Sequence, residues 1–267
     1  MRALTAFLKR DFLNDASYRF AFALNFVGIL FLVTLWFFIS RFLGKDVTLP
    51  GSGETVDYFP YVLLGIAAMG YLQTALGGFS RKLRAEQLTG TLEALLATPL
   101  SMRMLVVGTL AWDFLMSSFG VILYVAIAAA FFDMPLHASG LVGFALALVL
   151  TVGCAVALGM LSASFIIVFK RGDPINMLIT AFSALFGGVF FPAQVLPSWL
   201  EPVAKVVPLT YALDAMRGSL LLGKTLSEIA PSLLVLAGFC LVLLPLGVVA
   251  FGRAVDLARR NGTLVQY

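Results

Sequence analysis

A phosphate-binding signature lies in the last quarter of the chain. Gly218 to Thr225 reads G-S-L-L-L-G-K-T, which matches the G-x-x-x-x-G-K-[ST] pattern of nucleotide-binding loops. Such a loop binds phosphate when it joins a buried strand to a helix whose N-terminal amides face the ligand. Here the preceding residues are typical of a helix, and three leucines fill the variable positions. The sequence therefore predicts no ATPase site, no catalytic residue and no bound cofactor in this chain.

Isolated polar and thiol side chains are the next candidates for chemistry. Asp113 falls about nine residues into an apolar run, and an ionisable group inside a span marks a functional site by default. A carboxylate near the cytoplasmic end of the run, paired with a base or an interfacial water, explains it as well. His137 is the single histidine and cannot form a metal site unless acidic or thiol side chains converge on it. Cys154 and Cys240 lie in apolar runs, as small core residues without a disulfide or metal role.

A glycine pair at residues 187–188 is flanked by aromatic side chains. The phenylalanines are Phe182, Phe186, Phe190 and Phe191. A cluster of this kind can form a translocation path or gate for an amphipathic substrate, and ordinary core packing is the alternative. Farther along, Asp214 and Arg217 are spaced i and i+3, which lets them pair on one helix face.

The composition defines the environment of these residues. Of the 267 residues, 61% are hydrophobic and 12% are charged, with a mean hydropathy of +1.00. Soluble domains carry about 25% charged residues. Repeated runs of roughly 20 apolar residues indicate helical spans, whereas the strands of a barrel would alternate. The basic residues lie in short clusters at the ends of these runs, which argues against a nucleic-acid-binding surface. We therefore predict an all-α membrane protein.

One transmembrane domain with six spans is predicted over residues 1–267. The spans cover residues 20–39, 58–79, 105–132, 140–169, 175–191 and 231–252. An amphipathic interfacial helix over residues 1–19 precedes them. Three glycines of the fourth span, Gly143, Gly153 and Gly159, let a neighbouring helix approach closely.

Two short helices are predicted in the external segment 193–230. Ser198 to Glu201 matches a capping box, and Thr210 is placed to cap a second helix that ends near Gly223. Helices of roughly nine to thirteen residues reach only about 14–20 Å. They are too short for a membrane core about 30 Å thick, so they are re-entrant or interfacial. The other long external segment, Gly44 to Asp57, is predicted to be a polar loop.

The distribution of positive charge predicts the orientation. Thirteen of the 18 Lys and Arg residues fall in the N-terminal segment, the connector Ser80–Arg103, the turn at Lys170 and the C-terminal tail. Five fall on the opposite side: Arg41, Lys45, Lys205, Arg217 and Lys224. Because cytoplasmic loops carry the excess of Lys and Arg, both termini are predicted to be cytoplasmic.

The connector Ser80–Arg103 contains one amphipathic helix face. Leu88, Leu92, Leu95 and Leu96 recur at i, i+4, i+7 and i+8, and Pro99 ends the helix. Either the lipid interface or a soluble partner protein must cover these leucines. An ordinary solvated connector is the alternative.

Two segments resemble a known family. Glu86–Ser101, reading E-Q-L-T-G-T-L-E-A-L-L-A-T-P-L-S, is similar to the cytoplasmic loop of ABC (ATP-binding cassette) type-2 exporter permeases. Gly187–Arg217 is similar to the region before that family's last span, and the likeness covers essentially the whole chain. The resemblance implies a permease subunit that joins a second permease subunit, with a homodimer expected. It also implies two separate ATPase subunits, which bind ATP and Mg.

The resemblance further implies which residues couple the permease to those ATPases. They belong to a cytoplasmic coupling helix within residues 80–104: Glu86, Leu88, Thr91, Leu92, Glu93, Leu95, Leu96 and Pro99. The form of the first motif is closer to the branch that exports drugs and natural products. We therefore expect export of an amphipathic or lipid-like substrate across a bacterial or archaeal plasma membrane, in contact with its lipids. Export of a lipid-linked polysaccharide or lipo-oligosaccharide is the alternative.

Two function classes outside this family are the remaining alternatives. A membrane-embedded transferase needs acid, base or metal groups clustered at one depth, and Asp113 with His137 supplies too few. A secondary transporter usually carries inverted repeats, and the two halves of this sequence show none. Co-purification with an ATPase distinguishes all three classes.

Overall fold

The computed structural model describes residues 2–17, 19–44, 46–48, 55–88, 102–169 and 173–260. Within these ranges the protein is helical apart from one two-stranded ribbon and short turns, which confirms the all-α class. In chain order the α-helices are α1 (Arg2–Ser17), α2 (Arg19–Leu43), α3 (Tyr58–Leu88), α4 (Met102–Phe131), α5 (Leu141–Phe169), α6 (Asp173–Phe186), α7 (Glu201–Ala204), α8 (Pro208–Leu220) and α9 (Leu226–Arg260). Ala138–Gly140 and Ala193–Val195 form 3-10 turns.

Four stretches in the described ranges are long and apolar enough to cross a membrane. They are Tyr58–Gly78 in α3, Leu110–Phe131 in α4, Ala138–Phe169 along α5 and Leu226–Leu257 in α9. Two shorter apolar stretches are Val27–Leu43 in α2 and Pro174–Phe186 in α6. Because α6 has 14 residues, it measures about 21 Å, less than the membrane core of about 30 Å. The multi-pass membrane character is confirmed, whereas the count of six spans is not.

Helix α3 forms the centre of the protein. In the 18 most apolar residues of its stretch Tyr58–Gly78, 78% of the residues are buried, whereas the share is 17% in the corresponding parts of α4 and α9. The side chains of Tyr61 and Tyr71 are fully buried. A helix that is apolar on all sides requires neighbours on all sides, and α3 contacts α2, α4, α5, α6 and α8. Helix α3 is therefore the element around which these five helices pack.

Glycines bring α5 close to its neighbours, as the sequence predicts. A Cβ atom at Gly159 would lie 2.6 Å from the Ala75 carbonyl oxygen on α3, and one at Gly143 would lie 2.6 Å from Ile229 on α9. Gly153 faces Cys240 in the same way, at 3.0 Å from its sulfur. These close contacts explain why α5 packs extensively on both α3 and α9.

The N-terminal helix α1 lies against the beginning of α4. Phe7 is buried and fills the space above Gly108, where a Cβ atom would lie 2.9 Å from the ring carbon Cγ of Phe7. Phe12 meets Trp112 edge to face, with ring centroids 5.6 Å apart. The amphipathic sequence of α1 thus uses part of its apolar side for contact within the protein.

The segments that the sequence predicts to be external differ from the predictions in their details. The predicted polar loop contains an antiparallel ribbon that pairs Asp46–Thr48 with Thr55–Asp57, with Val47 opposite Val56. Its β-branched residues favour extended backbone. The predicted last span also has different ends, since α9 runs from Leu226 to Arg260 and includes Pro231 and Pro245.

Both predicted caps between α6 and α9 are wrong. Helix α7 has only four residues, and Leu200, not Ser198, occupies its N-cap without a side-chain hydrogen bond. Helix α8 begins at Pro208, whose fixed φ suits the first helical position. Thr210 therefore lies inside α8, where its hydroxyl donates to the Ala204 carbonyl at 2.8 Å. Helix α8 ends at Leu220, before the predicted Gly223.

Candidate functional site

A buried arginine joins three segments of the protein. Arg217 on α8 is 3% exposed. Its Nε and Nη2 donate to the Tyr61 carbonyl of α3 at 3.2 and 2.8 Å. Its Nη1 donates to the Gly188 carbonyl at 2.9 Å, and Nη2 also reaches the Val189 carbonyl at 3.3 Å. One guanidinium thus connects α8, α3 and the loop that follows α6.

Glycines and a tyrosine form the shell around this cation. The Arg217 guanidinium carbon lies 3.4 Å from the centre of the Tyr61 ring, a cation–π contact. The Tyr61 hydroxyl donates to the Gly188 carbonyl at 2.8 Å. Gly188 has φ +74°, a left-handed conformation that favours glycine. At Gly65 a Cβ atom would collide with the Val189 carbonyl. The loop therefore reaches Arg217 only because glycine occupies both positions.

The charge of Arg217 is satisfied without an ion pair. The predicted pairing with Asp214 is wrong, since the Asp214 carboxylate accepts a hydrogen bond from Ser232 on α9. Burial lowers the pKa of Arg217 to about 10, and the nearby Tyr61 and Asp214 partly oppose this. The side chain therefore stays cationic at neutral pH. Carbonyl oxygens and an aromatic face replace the water that a buried cation loses.

The four predicted gate phenylalanines divide into separate contacts. Phe182 and Phe186 touch on α6, with ring centroids 4.7 Å apart, and Phe182 is 45% exposed. Phe190 stacks on Trp36 of α2 at 5.6 Å. Phe191 is half-buried, and its carbonyl oxygen lies near Gly188. The four phenylalanines thus lie on α6 and in the segment that follows it, and they make separate contacts instead of one continuous surface.

An apolar pocket lies where α3, α5, α6, α8 and α9 meet. Its lining residues are Ala68, Leu72, Thr151, Cys154, Ala155, Leu158, Ser183, Pro208, Leu209, Ala212 and Leu236. The hydroxyl of Thr151 is already bonded to the Ala147 carbonyl at 2.7 Å. The pocket therefore offers an almost wholly apolar surface, and none of the four phenylalanines lines it.

Polar side chains lie along the contact between α3 and α4, and Asp113 is one of them. We call this contact the α3–α4 seam. A carboxylate oxygen of Asp113 would lie 3.1 Å from a Cβ atom at Gly78. One turn away, the hydroxyls of Thr74 and Ser117 are hydrogen-bonded at 2.8 Å. Asp113 is half-buried. The structure thus places it on the α3–α4 seam, and the phenylalanines of α6 lie on another face of α3.

Comparison with known families fits this architecture of apolar helices. A family model described as ABC-2 type transporter matches residues 2–221. The chain belongs to the ABC-2 type transporter family. The match extends from α1 through α8 and includes the Arg217 cluster. Comparison with curated proteins gives no significant match.

The residues predicted to couple this ABC-2 chain to an ATPase fall mostly outside the described residues. Glu86 and Leu88 lie in the last turn of α3, which extends well past the predicted end of the second span. Thr91, Leu92, Glu93, Leu95, Leu96 and Pro99 lie outside the described residues. Their helical face and their role stay predictions.

The nucleotide-loop signature of this ABC-2 chain joins two helices. Gly218 belongs to α8, and α9 begins directly after Thr225. The Thr225 amide donates to the Glu228 carboxylate at 2.7 Å, and the Thr225 hydroxyl donates to it at 2.6 Å. A carboxylate thus occupies the amide and the hydroxyl of Thr225, the last residue of the signature. This arrangement matches the family, whose membrane domain is a permease component without an ATPase site.

Sequence reasoning missed two of these features although signals for both were present. Arg217 is a cation within a hydrophobic stretch, which by itself marks a buried, specifically bonded residue. Thr225-Leu226-Ser227-Glu228 has the capping-box spacing, and the Glu228 side chain does reach the Thr225 amide. Spacing along the sequence indicates only a local ion pair for Arg217. The nucleotide-loop pattern overlaps the capping box at Thr225 and hides it.

Proposed function

We propose that this chain is the membrane permease subunit of an ATP-driven exporter. It moves an amphipathic or lipid-like substrate from the cytoplasm or inner leaflet to the outside by alternating access. The observation that supports this function is the ABC-2 match over residues 2–221. In addition, the Thr225 amide of the nucleotide-loop signature is bonded to the chain's own Glu228 carboxylate. The energy source is therefore assigned to separate ATPase subunits that bind ATP and Mg.

The assignment of an amphipathic substrate is supported by the surfaces beside the Arg217 loop. The pocket between α3, α5, α8 and α9 has apolar walls, and Phe182 offers an exposed ring on α6. Such surfaces bind alkyl and aromatic groups, while they offer few partners for a highly polar solute. Arg217 fixes the loop at Gly188, so we assign it the role of a positioning residue for one end of the path.

The proposed assembly follows from the connector between α3 and α4. Residues Glu86 to Pro99 dock the ATPase, and two copies of the chain bind two ATPases. Because ATP is cytoplasmic, the connector is cytoplasmic in this assignment. Together with the six spans that the sequence predicts, this puts both termini in the cytoplasm and the segment between α6 and α9, including Arg217, on the external side of a plasma membrane.

Co-expression with the ATPase encoded beside this chain tests the proposal. We expect the ATPase to co-purify and the reconstituted complex to move an amphipathic fluorescent dye only when ATP is hydrolysed. A lipid-linked oligosaccharide serves as the competing substrate. Transport driven by an ion gradient without any ATPase would contradict the proposal and favour a secondary transporter.

A further inference from the structure

Two cysteines far apart in sequence meet inside the helix bundle. The sulfur of Cys154 on α5 lies 3.1 Å from the sulfur of Cys240 on α9, across 86 positions of the chain. Both residues are free thiols, and both are buried. Cys240 also donates to the Leu150 carbonyl of α5 at 3.1 Å, and Cys154 to the Leu236 carbonyl of α9 at 3.7 Å. Each thiol is thus held against the opposite helix.

The packing of α5 against α9 keeps the two sulfurs 3.1 Å apart. A disulfide has a sulfur–sulfur distance of about 2.05 Å, so the atoms need to approach by about 1 Å from their present positions. Gly153 beside Cys240, and Gly247 two turns farther along α9, remove side chains that would separate the helices. At Gly247 a Cβ atom would lie 3.0 Å from the Ala157 carbonyl oxygen. The close contact is therefore a property of the helix crossing.

One member of the pair, Cys154, borders the apolar pocket. Cys154 lines that pocket together with Leu72, Leu158 and Leu236. A charged oxidant is excluded by such walls, whereas a neutral, apolar one is accepted. The apolar lining of the pocket therefore favours a neutral, apolar oxidant.

We propose that Cys154 and Cys240 are a redox-active pair that closes to a disulfide between α5 and α9. Two S–H bonds break and one S–S bond forms. The two electrons and two protons pass to a neutral two-electron acceptor of the quinone or azo class, which leaves as the hydroquinone or hydrazine. The proton travels with the electrons, so no thiolate is left in the apolar site. A thiol reductant reverses the step.

Closure of this bond fixes two walls of the pocket. Thr151 and Leu236 lie one turn from the two cysteines and line the same pocket. The bond joins positions that are distant in sequence, which restricts the unfolded chain strongly. The oxidised protein therefore has a higher apparent Tm than the reduced protein. This inference does not depend on the proposed function.

Intact-mass measurement on the full chain in lipid nanodiscs tests the proposal. The chain is reduced, freed of reductant, treated with the neutral azo oxidant diamide and then denatured in N-ethylmaleimide. We expect a loss of two hydrogens, no maleimide uptake, and an apparent Tm raised by several degrees. Treatment with reductant restores two maleimide sites and the lower apparent Tm.

A matched control keeps two cysteines on the same two helices. In Cys240→Ala with Leu241→Cys, the second thiol moves to a position that is 76% exposed in the native protein. This variant keeps both thiols or carries oxidant adducts, without losing two hydrogens. The proposal is overturned if wild type keeps two maleimide sites, forms only adducts or intermolecular dimers, or closes no more readily than the control. If the disulfide forms and the apparent Tm does not change, the bond does not hold α5 and α9 together more firmly.

Discussion

Arg217 contacts both the aromatic ring and the backbone carbonyl of one residue, Tyr61. Its guanidinium carbon lies 3.4 Å from the centre of the Tyr61 ring, while Nε and Nη2 donate to the carbonyl of the same residue. The Tyr61 hydroxyl in turn donates to Gly188, which also accepts from Arg217. Each of these three residues thus contacts the other two. Charge-assisted bonds of this kind are strong where water is excluded.

Replacing Arg217 is expected to loosen the loop at Gly188. Arg217→Met removes the guanidinium bonds to the carbonyls of Tyr61, Gly188 and Val189. The Gly188 carbonyl keeps its bond from the Tyr61 hydroxyl, and each buried group that stays unsatisfied costs about 1–3 kcal/mol. Arg217→Lys restores only part of the stability because an ammonium group cannot span the carbonyls as a planar fork does. Thermal unfolding measures both variants.

Lys205→Ala is the matched control for that measurement. Lys205 pairs with Glu201 at 3.4 Å on the exposed surface, and such pairs contribute about 0–1 kcal/mol. If Arg217→Met is as stable as this control, the Arg217 cluster does not hold the loop.

A pair of glycine substitutions tests the helix packing. Gly159→Ala places a Cβ atom 2.6 Å from the Ala75 carbonyl oxygen, so it is expected to destabilise the protein by about 1–3 kcal/mol. Gly238→Ala on α9 meets nothing within 4 Å and is expected to stabilise the helix by about 0.5–1 kcal/mol. Equal unfolding temperatures for the two variants would show that α5 and α3 are not in close contact.

The overlapping nucleotide-loop signature gives a prediction about enzymology. Lys224→Ala is expected to leave ATP hydrolysis by the assembled complex within about twofold of wild type, since Glu228 already occupies the Thr225 donors. Steady-state hydrolysis of the purified complex measures this. A loss as large as that caused by removing the corresponding lysine of the ATPase subunit would mean that residues 218–225 bind nucleotide.

The orientation is tested by labelling single cysteines in intact cells. A cysteine at Ser52 is expected to react with an impermeant maleimide from outside, and one at Thr89 is not, because most Lys and Arg residues fall on the Thr89 side. Replacing Cys154 and Cys240 by Ala removes background reaction. Labelling at Thr89 in intact cells would reverse the orientation.

Sequence periodicity predicted most helices because long apolar runs have few alternatives in a membrane. The glycines of α5 were also recognisable, since small residues are what close helix contacts require. Helix ends were less predictable. Pro208 begins α8 two residues before Thr210, and the glycine pair 187–188 ends α6 before Phe191.

The contacts between distant segments were not predictable from local pattern. Arg217 finds its partners on α3 and in the loop after α6, and spacing along α8 suggested only Asp214. The approach of Cys154 to Cys240 depends on the crossing of α5 and α9, which no local pattern encodes. Tertiary packing therefore defines the candidate site, while local sequence defines the elements that carry it.

We propose that residues Glu86 to Pro99 couple this permease to an ATPase. If the leucines of this segment enter a cleft on the ATPase, their burial contributes about 25 cal/mol per Å² before the costs of association. Leu92→Asp places a charge in that apolar contact. Glu93→Ala, at the margin of the face, is expected to leave assembly intact and to reduce substrate-stimulated hydrolysis, because charges at an interface rim fix register more than affinity.

Pull-down of the ATPase by the Leu92→Asp variant, combined with substrate-stimulated hydrolysis in reconstituted vesicles, tests this claim most directly. We expect binding to weaken by several kcal/mol while the variant inserts and folds like wild type. A solvated connector would tolerate the change within about 0.5 kcal/mol. If Leu92→Asp binds the ATPase and transports substrate like wild type, this segment is not the coupling element.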